Sequence, residues 1–215
     1  MSTSTAISAQ GSKLYIAGTP GSSITITGIT KATSAVVTGT HSLAVGDVVE
    51  FGTVAGMPEI YGLLGIVTAV STTVSFTVNI DSSDYAAVGT DGAAVPQTWT
   101  KIGNFIDYNG FDGSASELDR THMESDAMEN FPGLQDFGQF TFNIDVDNTD
   151  TGQLALRAAK TTATILPYKL RLPNAKLRVW HGWVKKFTET GGVNKIVKAA
   201  VDVRVTGAVN FGTGV

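Results

Sequence analysis

Residues 120–138, RTHMESDAMENFPGLQDFG, set His122 and four carboxylates, Glu124, Asp126, Glu129 and Asp136, beside Met123 and Met128. Carboxylates in pairs support general acid–base chemistry, and one histidine with nearby acids is a partial donor set for a metal ion. Either role needs groups held rigidly by packed neighbours. This stretch has no apolar periodicity of period 2 or 3.6 to hold them. Nucleophilic catalysis has less support. His41, His122 and His181 lie far apart in the chain, and no Gly-x-Ser-x-Gly elbow accompanies them. GTPGSS, 18–23, lacks the Gly-Lys-Ser/Thr ending of a phosphate loop. The absence of cysteine removes thiol catalysis, thiolate metal sites and disulfides. No enzyme mechanism emerges, and no metal or cofactor is implied. Two readings of 120–138 remain. It is an arm that orders on a partner, with Met123, Met128 and Phe131 as adaptable apolar contacts, or it is a plain hairpin loop.

The elements around it read as strands. In GQFTFNIDVD, 138–147, Phe140, Phe142, Ile144 and Val146 share one face, while Asn143, Asp145 and Asp147 share the other. IVKAAVDVRVTG, 196–207, repeats the alternation, with Val197, Ala199, Val201, Val203 and Val205 on its apolar face. YKLRLP (168–173) and LRVWHGWVKKF (177–187) are further strands of an antiparallel sheet. One helix interrupts them. DTGQLALRAAK has Asp150 as N-cap and Gln153 three residues on, with Leu154, Ala155, Ala158 and Ala159 at helical spacing.

The first half differs in texture. SITITGI, SAVVTGT, GDVVEFG, YGLLGIVTAV and TTVSFTVNI are short strands between turn residues, as in a small closed barrel. GTDGAAVP, 89–96, has the composition of a linker. SKLYIAG and QTWTKIGNFIDYNGF, on either side of the barrel, read as strands belonging with the second half. The organisation expected is a discontinuous β domain, 1–18 and 97–215, interrupted by a barrel at 19–96. Insertion at a loop tip costs a host little, because closure entropy grows slowly with loop length.

Charged residues are only 16% of the chain, and the net charge of −4 is unevenly spread. Residues 105–150 carry eleven acids against Arg120 alone, whereas 151–215 carry eleven bases against Glu189 and Asp202. Either the halves neutralise each other within one fold, or acidic and basic faces meet between copies. No basic patch with interleaved aromatics suggests a grip on nucleic acid. The N-terminal residues lack the basic and apolar regions of a secretory signal, and no run reaches the about 18 apolar residues of a membrane span. A soluble protein made in a cytoplasm, with no membrane partner, is the expectation.

The order of features from 121 onward carries a resemblance. Pro132-Gly133-Leu134 and Asp136-Phe137-Gly138 lead into an alternating strand, the DNTDTG turn and a short alanine-rich helix, followed by KLRLPNAK, GWVKKF and VRVTG. This succession resembles the major tail tube proteins of tailed bacteriophages, over about residue 97 to the end. ITKATSAVVTGTHSLAVGDVVEFGTVAGMPEIYG resembles the small β-barrel half-domain (FCCH type) of ubiquitin-activating enzymes, through His41, Leu43, Gly46, Asp47, Val48, Gly56, Met57 and Gly62. Without cysteine, ubiquitin-type chemistry is not implied, and Gly46 and Asp47 read as architecture.

The first resemblance implies a mainly β fold, an antiparallel β-sandwich or barrel protomer with one short helix plus the inserted barrel on the tube exterior. It implies a virion protein whose hexameric rings stack into a hollow, non-contractile tail tube, assembled in the host bacterial cytoplasm. Expected partners are further copies of the chain, the tape measure protein, the tail terminator and the baseplate or tip proteins. Double-stranded DNA would pass through the lumen without specific binding. The arm residues Asp119, Arg120, Met123, Glu124, Asp126, Met128, Glu129 and Phe131 would then reach a neighbour, the acids meeting Lys185, Lys186 or Lys195. A channel for sliding DNA should be poor in bases, which makes Asn143, Asp145 and Asp147 a candidate lining. Two rivals stand beside this. One is a terminator that forms a single ring. The other is a glycan-binding barrel, which requires exposed aromatics among Phe51, Tyr61, Phe76 and Tyr85; alternation marks Phe51 and Phe76 as buried.

Overall fold

The computed structural model describes residues 6–71 and 73–214. The fold is mainly antiparallel β-structure with a single helix among the described residues. The first strands are β1 (Lys13–Ala17), β2 (Ile24–Ile26), β3 (Gly28–Ile29), β4 (Val36–Thr38), β5 (Val48–Ala55), β6 (Leu64–Ser71), β7 (Ser75–Val78) and β8 (Asp91–Pro96). After them come β9 (Trp99–Lys101), β10 (Phe105–Gly110), β11 (Ala115–Asp119), β12 (Asn130–Gln135) and β13 (Gln139–Asp145). The chain ends with α1 (Thr151–Thr162), β14 (Leu166–Arg171), β15 (Lys176–Gly192) and β16 (Lys195–Thr213). Two compact units divide it. One holds the residues up to Ile102, Pro167–Trp180 and those from Val209 on; the other holds Gly103–Leu166 and His181–Ala208.

In the first unit seven strands follow the order β2-β8-β5-β6-β7-β4-β3. The two ends of that order, β2 and β3, are consecutive pieces of one segment, so the sheet returns on itself as a small barrel. Ile26, Val37, Val49, Phe51, Met57, Ile60, Phe76 and Val78 fill its interior. Burying each such side chain contributes about 1.5–3 kcal/mol. Gly46 takes φ +91 at the turn into β5, where the Asp47 carboxylate accepts from the Ala44 N–H at 2.8 Å. His41 is buried; its Nδ1 accepts from the Leu43 N–H and its Nε2 donates to the Ser75 carbonyl. These residues are architectural, as their turn chemistry suggests.

The stretch 89–96 is not a linker. It forms β8, paired with β2 on one side and β5 on the other, with Ala94 fully buried. Its small residues are explained by crowding: a Cβ at Gly92 would lie 2.8 Å from the Val54 side chain. A second, smaller core in the same unit joins Val48, Leu64 and Ile66 of β5 and β6 to Leu177 and Val179 of β15. β9, β1, β14 and β15 are neighbours in that order. On this sheet the Lys169 ammonium sits over both Tyr15, at 4.9 Å, and Trp99, at 4.5 Å. Burial there pulls its pKa down to about 8, with Asp47 opposing and Arg171 adding to the shift.

The second unit carries the order β10-β13-β16-β15. Phe140, Phe142 and Ile144 of β13 and Ala199, Val201, Val203 and Val205 of β16 are buried, as alternation requires. Val197 departs from its expected place and is 44% exposed. β13 stops at Asp145, opposite Lys198, so little of the sheet remains to cover side chains further out. The helix begins as its cap predicts, the Asp150 carboxylate accepting from the Gln153 N–H at 2.8 Å. Its buried face differs from the expected one. Gly152, Gln153, Leu156 and Ala159 are buried, whereas Leu154 is 46% exposed and Ala158 is exposed. The cause is Gln153, whose buried amide donates to the Asp145 and Gly103 carbonyls and accepts from the Asp147 N–H. That polar anchor, and not the alanine row, sets the helix rotation.

Candidate assembly surfaces

β11 and β12 pair only with each other, as a two-stranded ribbon spanning the stretch that is richest in acids. Pro132 sits at the bulge of this pairing, opposite Glu117, where a missing N–H is tolerated. The stretch expected as an arm is therefore a formed hairpin with its tip at 120–129. The tip is ordered by local bonds. The Asp119 carboxylate accepts from the Thr121 N–H at 2.8 Å, and the Thr121 hydroxyl accepts from the Glu129 N–H at 3.1 Å. Hydrogen bonds from Thr121 hold the Asp119 carboxyl below the usual carboxylate range. Arg120 lies over the Phe131 ring at 5.1 Å.

The ribbon's root is clamped more firmly. Asp136 accepts from the Gly138 N–H and from Arg204 of β16, and both bonds, the first more strongly, lower its pKa. Asp112 accepts from the Gln139 N–H at 2.7 Å. Gly138 has φ +70, and a Cβ there would strike the Asp112 carboxylate and the Gly113 backbone. The root thus fixes where the ribbon leaves the unit, while the ribbon itself is bare.

Apart from Gly133, every residue of β11 and β12 is exposed. Leu118 is 58% exposed, Met128 77% and Leu134 90%. Met123 and Phe131 are exposed too. Leu118 and Leu134 escape sequence reasoning, because each stands alone among polar or small neighbours without a repeating period. Glu124, Asp126 and Glu129 are exposed at or beside the tip. The His122 Nδ1 accepts from the Glu124 N–H at 3.2 Å. Among the described residues no three His, Asp or Glu side chains gather as a metal ion would require.

A second ribbon is formed by the outer parts of β15 and β16. Lys185, Lys186 and Lys195 are exposed here, and among the described residues none of them has an ion-pair partner. Val193, Ile196 and Val197 add exposed apolar surface at its end. Arg157 of α1 braces the ribbon, lying over Phe187 at 5.3 Å and pairing with Glu189 at 2.8 Å. One ribbon is acidic and apolar, the other basic and apolar.

Asn143 and Asp145 share the polar face of β13, and the Asn143 amide donates to Asp107 of β10 at 2.7 Å. Asp147 lies beyond the strand's end. Its carboxylate accepts from both the N–H and the hydroxyl of Thr149, which lower its pKa. The three residues do not form one row. Asp107, Asn109, Thr141 and Asp202 complete a polar sheet face around Asn143, which also carries Lys198 opposite Asp145 and Arg204 opposite Gln139.

Residues 84–212, more than half of the chain, match the family model of the lambda phage tail tube protein. The chain belongs to that tail tube family. It is a structural component of the phage tail tube and so of the virion, and its family role is self-assembly into a tube. The tail tube match begins at Asp84, so it covers β8 onward and leaves β1 to β7 outside. No curated protein matches the chain. No helix among the described residues is long and apolar enough to cross a membrane.

Proposed function

We propose that this tail tube protein closes into hexameric rings that stack as a hollow, non-contractile tube for delivery of double-stranded DNA. A ring needs a heterologous interface that closes, and a tube needs a second that does not. The observation that carries the reading is the β11–β12 ribbon. A two-stranded ribbon alone is marginally stable in water, and this one leaves five large apolar side chains exposed. Docking on a second copy supplies what it lacks. Asp119, Glu124, Asp126 and Glu129 then meet Lys185, Lys186 and Lys195 of the neighbour, and Met123, Met128 and Phe131 meet its apolar surface. The polar sheet face around Asn143 and Asp145 lines the lumen, where Asp107, Asp145 and Asp202 outnumber Lys198 and Arg204 and let DNA slide.

On this reading 1–18 and 97–215 form the tube domain, and 19–96 is an FCCH-like barrel on the outside. The tape measure protein occupies the lumen before DNA, while terminator and tip proteins close the ends, all assembled in the host cytoplasm. Negative-stain electron microscopy of the purified chain over a range of concentrations tests the proposal. Hollow tubes with regularly spaced external knobs support it. Single rings that never stack identify a terminator instead, and monomers at every concentration overturn self-assembly.

A further inference from the structure

Phe51 and Phe76 are each 1% exposed, but Tyr61 is 67% exposed, at a fixed place on the barrel. Its N–H donates to the Pro58 carbonyl at 3.2 Å, closing a single 3-10 turn, and the next N–H, of Gly62, donates to Phe51 of β5 at 2.8 Å. The ring is thus presented by a pinned backbone. Tyr61 lines a pocket of about 420 Å³ together with Pro20, Glu50, Gly52, Gly62 and Gln97. That volume is within the usual range for small-ligand sites.

The polar groups in this pocket are arranged in advance. The Gln97 amide donates to the Glu50 carboxylate at 3.2 Å, and the Gln97 backbone N–H donates to Val48 at 2.8 Å. Glu50 is held in register opposite Val95 by the β5–β8 pairing. That pairing shifts between Phe51 and Val54, and Gly52 sits in the irregularity, which keeps the floor free of side chains. Gly62 has φ +72, and a Cβ there would meet nothing within 4 Å beyond its chain neighbours.

We propose that this pocket binds a neutral pyranose sugar, one face of which stacks on Tyr61 while adjacent hydroxyls bond to Glu50 and Gln97. An aromatic face suits the apolar C–H face of a pyranose, and paired planar carboxylate and amide groups suit vicinal hydroxyls. No lysine or arginine lines the pocket, so acidic sugars and phosphates find no countercharge in its lining. The larger groove of the barrel, lined by Thr25, Thr38 and Val74, offers hydroxyls without an aromatic platform. Single-site binding of this kind is weak, and repetition along a tube would raise it by avidity. The pocket itself does not depend on assembly.

Saturation-transfer NMR on the unassembled full chain, with methyl glycosides of glucose, galactose and N-acetylglucosamine and their disaccharides, tests the site. Transfer to ring protons of at least one neutral sugar at about 10 mM is expected. Tyr61→Ala should weaken it about tenfold and Glu50→Gln measurably, while Tyr61→Phe keeps it and Val74→Ala leaves it unchanged. No transfer to any of these sugars overturns the proposal. So does transfer that persists undiminished in Tyr61→Ala, since the sugar would then lie elsewhere.

Discussion

The β2–β8 barrel and the β11–β12 ribbon are both built from short antiparallel strands, yet their accounts with water are opposite. The barrel closes through the continuous segment 24–29 and seals Phe51, Met57, Ile60 and Phe76 inside. The ribbon has two strands, no covered face and Leu134 at 90% exposure. Closure lets one region complete itself. The other leaves its apolar side chains uncovered, on a root fixed by bonds at Asp112 and Asp136. Self-sufficiency and incompleteness are thus assigned to separate parts of one chain.

The sharpest way to break this contrast is to open the barrel. Phe51→Ala should cost about 3–5 kcal/mol in urea unfolding, through lost burial and the cavity left behind. Leu134→Ser should change the folding midpoint by no more than about 0.5 kcal/mol, yet raise the concentration threshold for tubes about tenfold. Equal effects of the two on folding would erase the distinction.

Charge provides the next test. Reversing Asp119, Glu124, Asp126 and Glu129 to lysine should abolish tubes in electron micrographs without moving the urea midpoint. A chain with Lys185, Lys186 and Lys195 reversed to glutamate should co-assemble with it when the two are mixed. Added salt should weaken assembly of the unaltered protein.

Smaller effects sit at the supports of the second unit. Asp150→Ala removes the helix cap and an acceptor for the Gly103 N–H, and should cost about 1–2 kcal/mol in thermal or urea unfolding. The Asp136–Arg204 pair, exposed at the ribbon root, should give a slighter and pH-dependent effect. Its folded carboxyl pKa is depressed, so its contribution is present above the unfolded value of about 3.9 and is lost as pH falls through the lower folded value. The stability difference between the protein and Asp136→Asn should therefore vanish in acid. Within the packed unit, the ε-methylene NMR signals of Lys169 should titrate with a midpoint of about 8. Because the unfolded amine binds its proton more tightly, stability should rise with pH from that midpoint toward about 10.4.

Strict alternation makes β13 and the inner part of β16 legible in the sequence, since one face of each is packed and the other wet. The helix start is legible because Asp150 and Gln153 are local to it. Its rotation is not, because Gln153 is fixed by bonds to Gly103 and Asp145, residues distant in sequence or lying in another element. β8 is hidden for a related reason. Ala93, Ala94 and Gly92 look like linker residues, and only the crowding against Val54 and the pairing with β2 and β5 show why small side chains are needed. Of the surface, the acidic tip and the three lysines are legible from charge alone. Leu118, Leu134 and Val193 are not, since an apolar residue in a polar stretch carries no signal of its exposure. The Tyr61 pocket draws Pro20, Glu50 and Gln97 from well-separated positions, which the β5–β8 register and the Gly21–Pro96 backbone bond bring together.

The small core of Val48, Leu64, Ile66, Leu177 and Val179 also bears on mechanics. The Asn210 amide donates to the Leu64 carbonyl, and the Asn79 amide donates to Phe211 at 2.9 Å, beside that core. A tug on the barrel is therefore not borne by the two chain crossings near residues 18–20 and 96–98 alone. It is shared by a patch of interlocked side chains on two of the longest strands in the molecule. Drag or a tethered load on the barrel would reach the nearby ends of β15 and β16 through that packed patch.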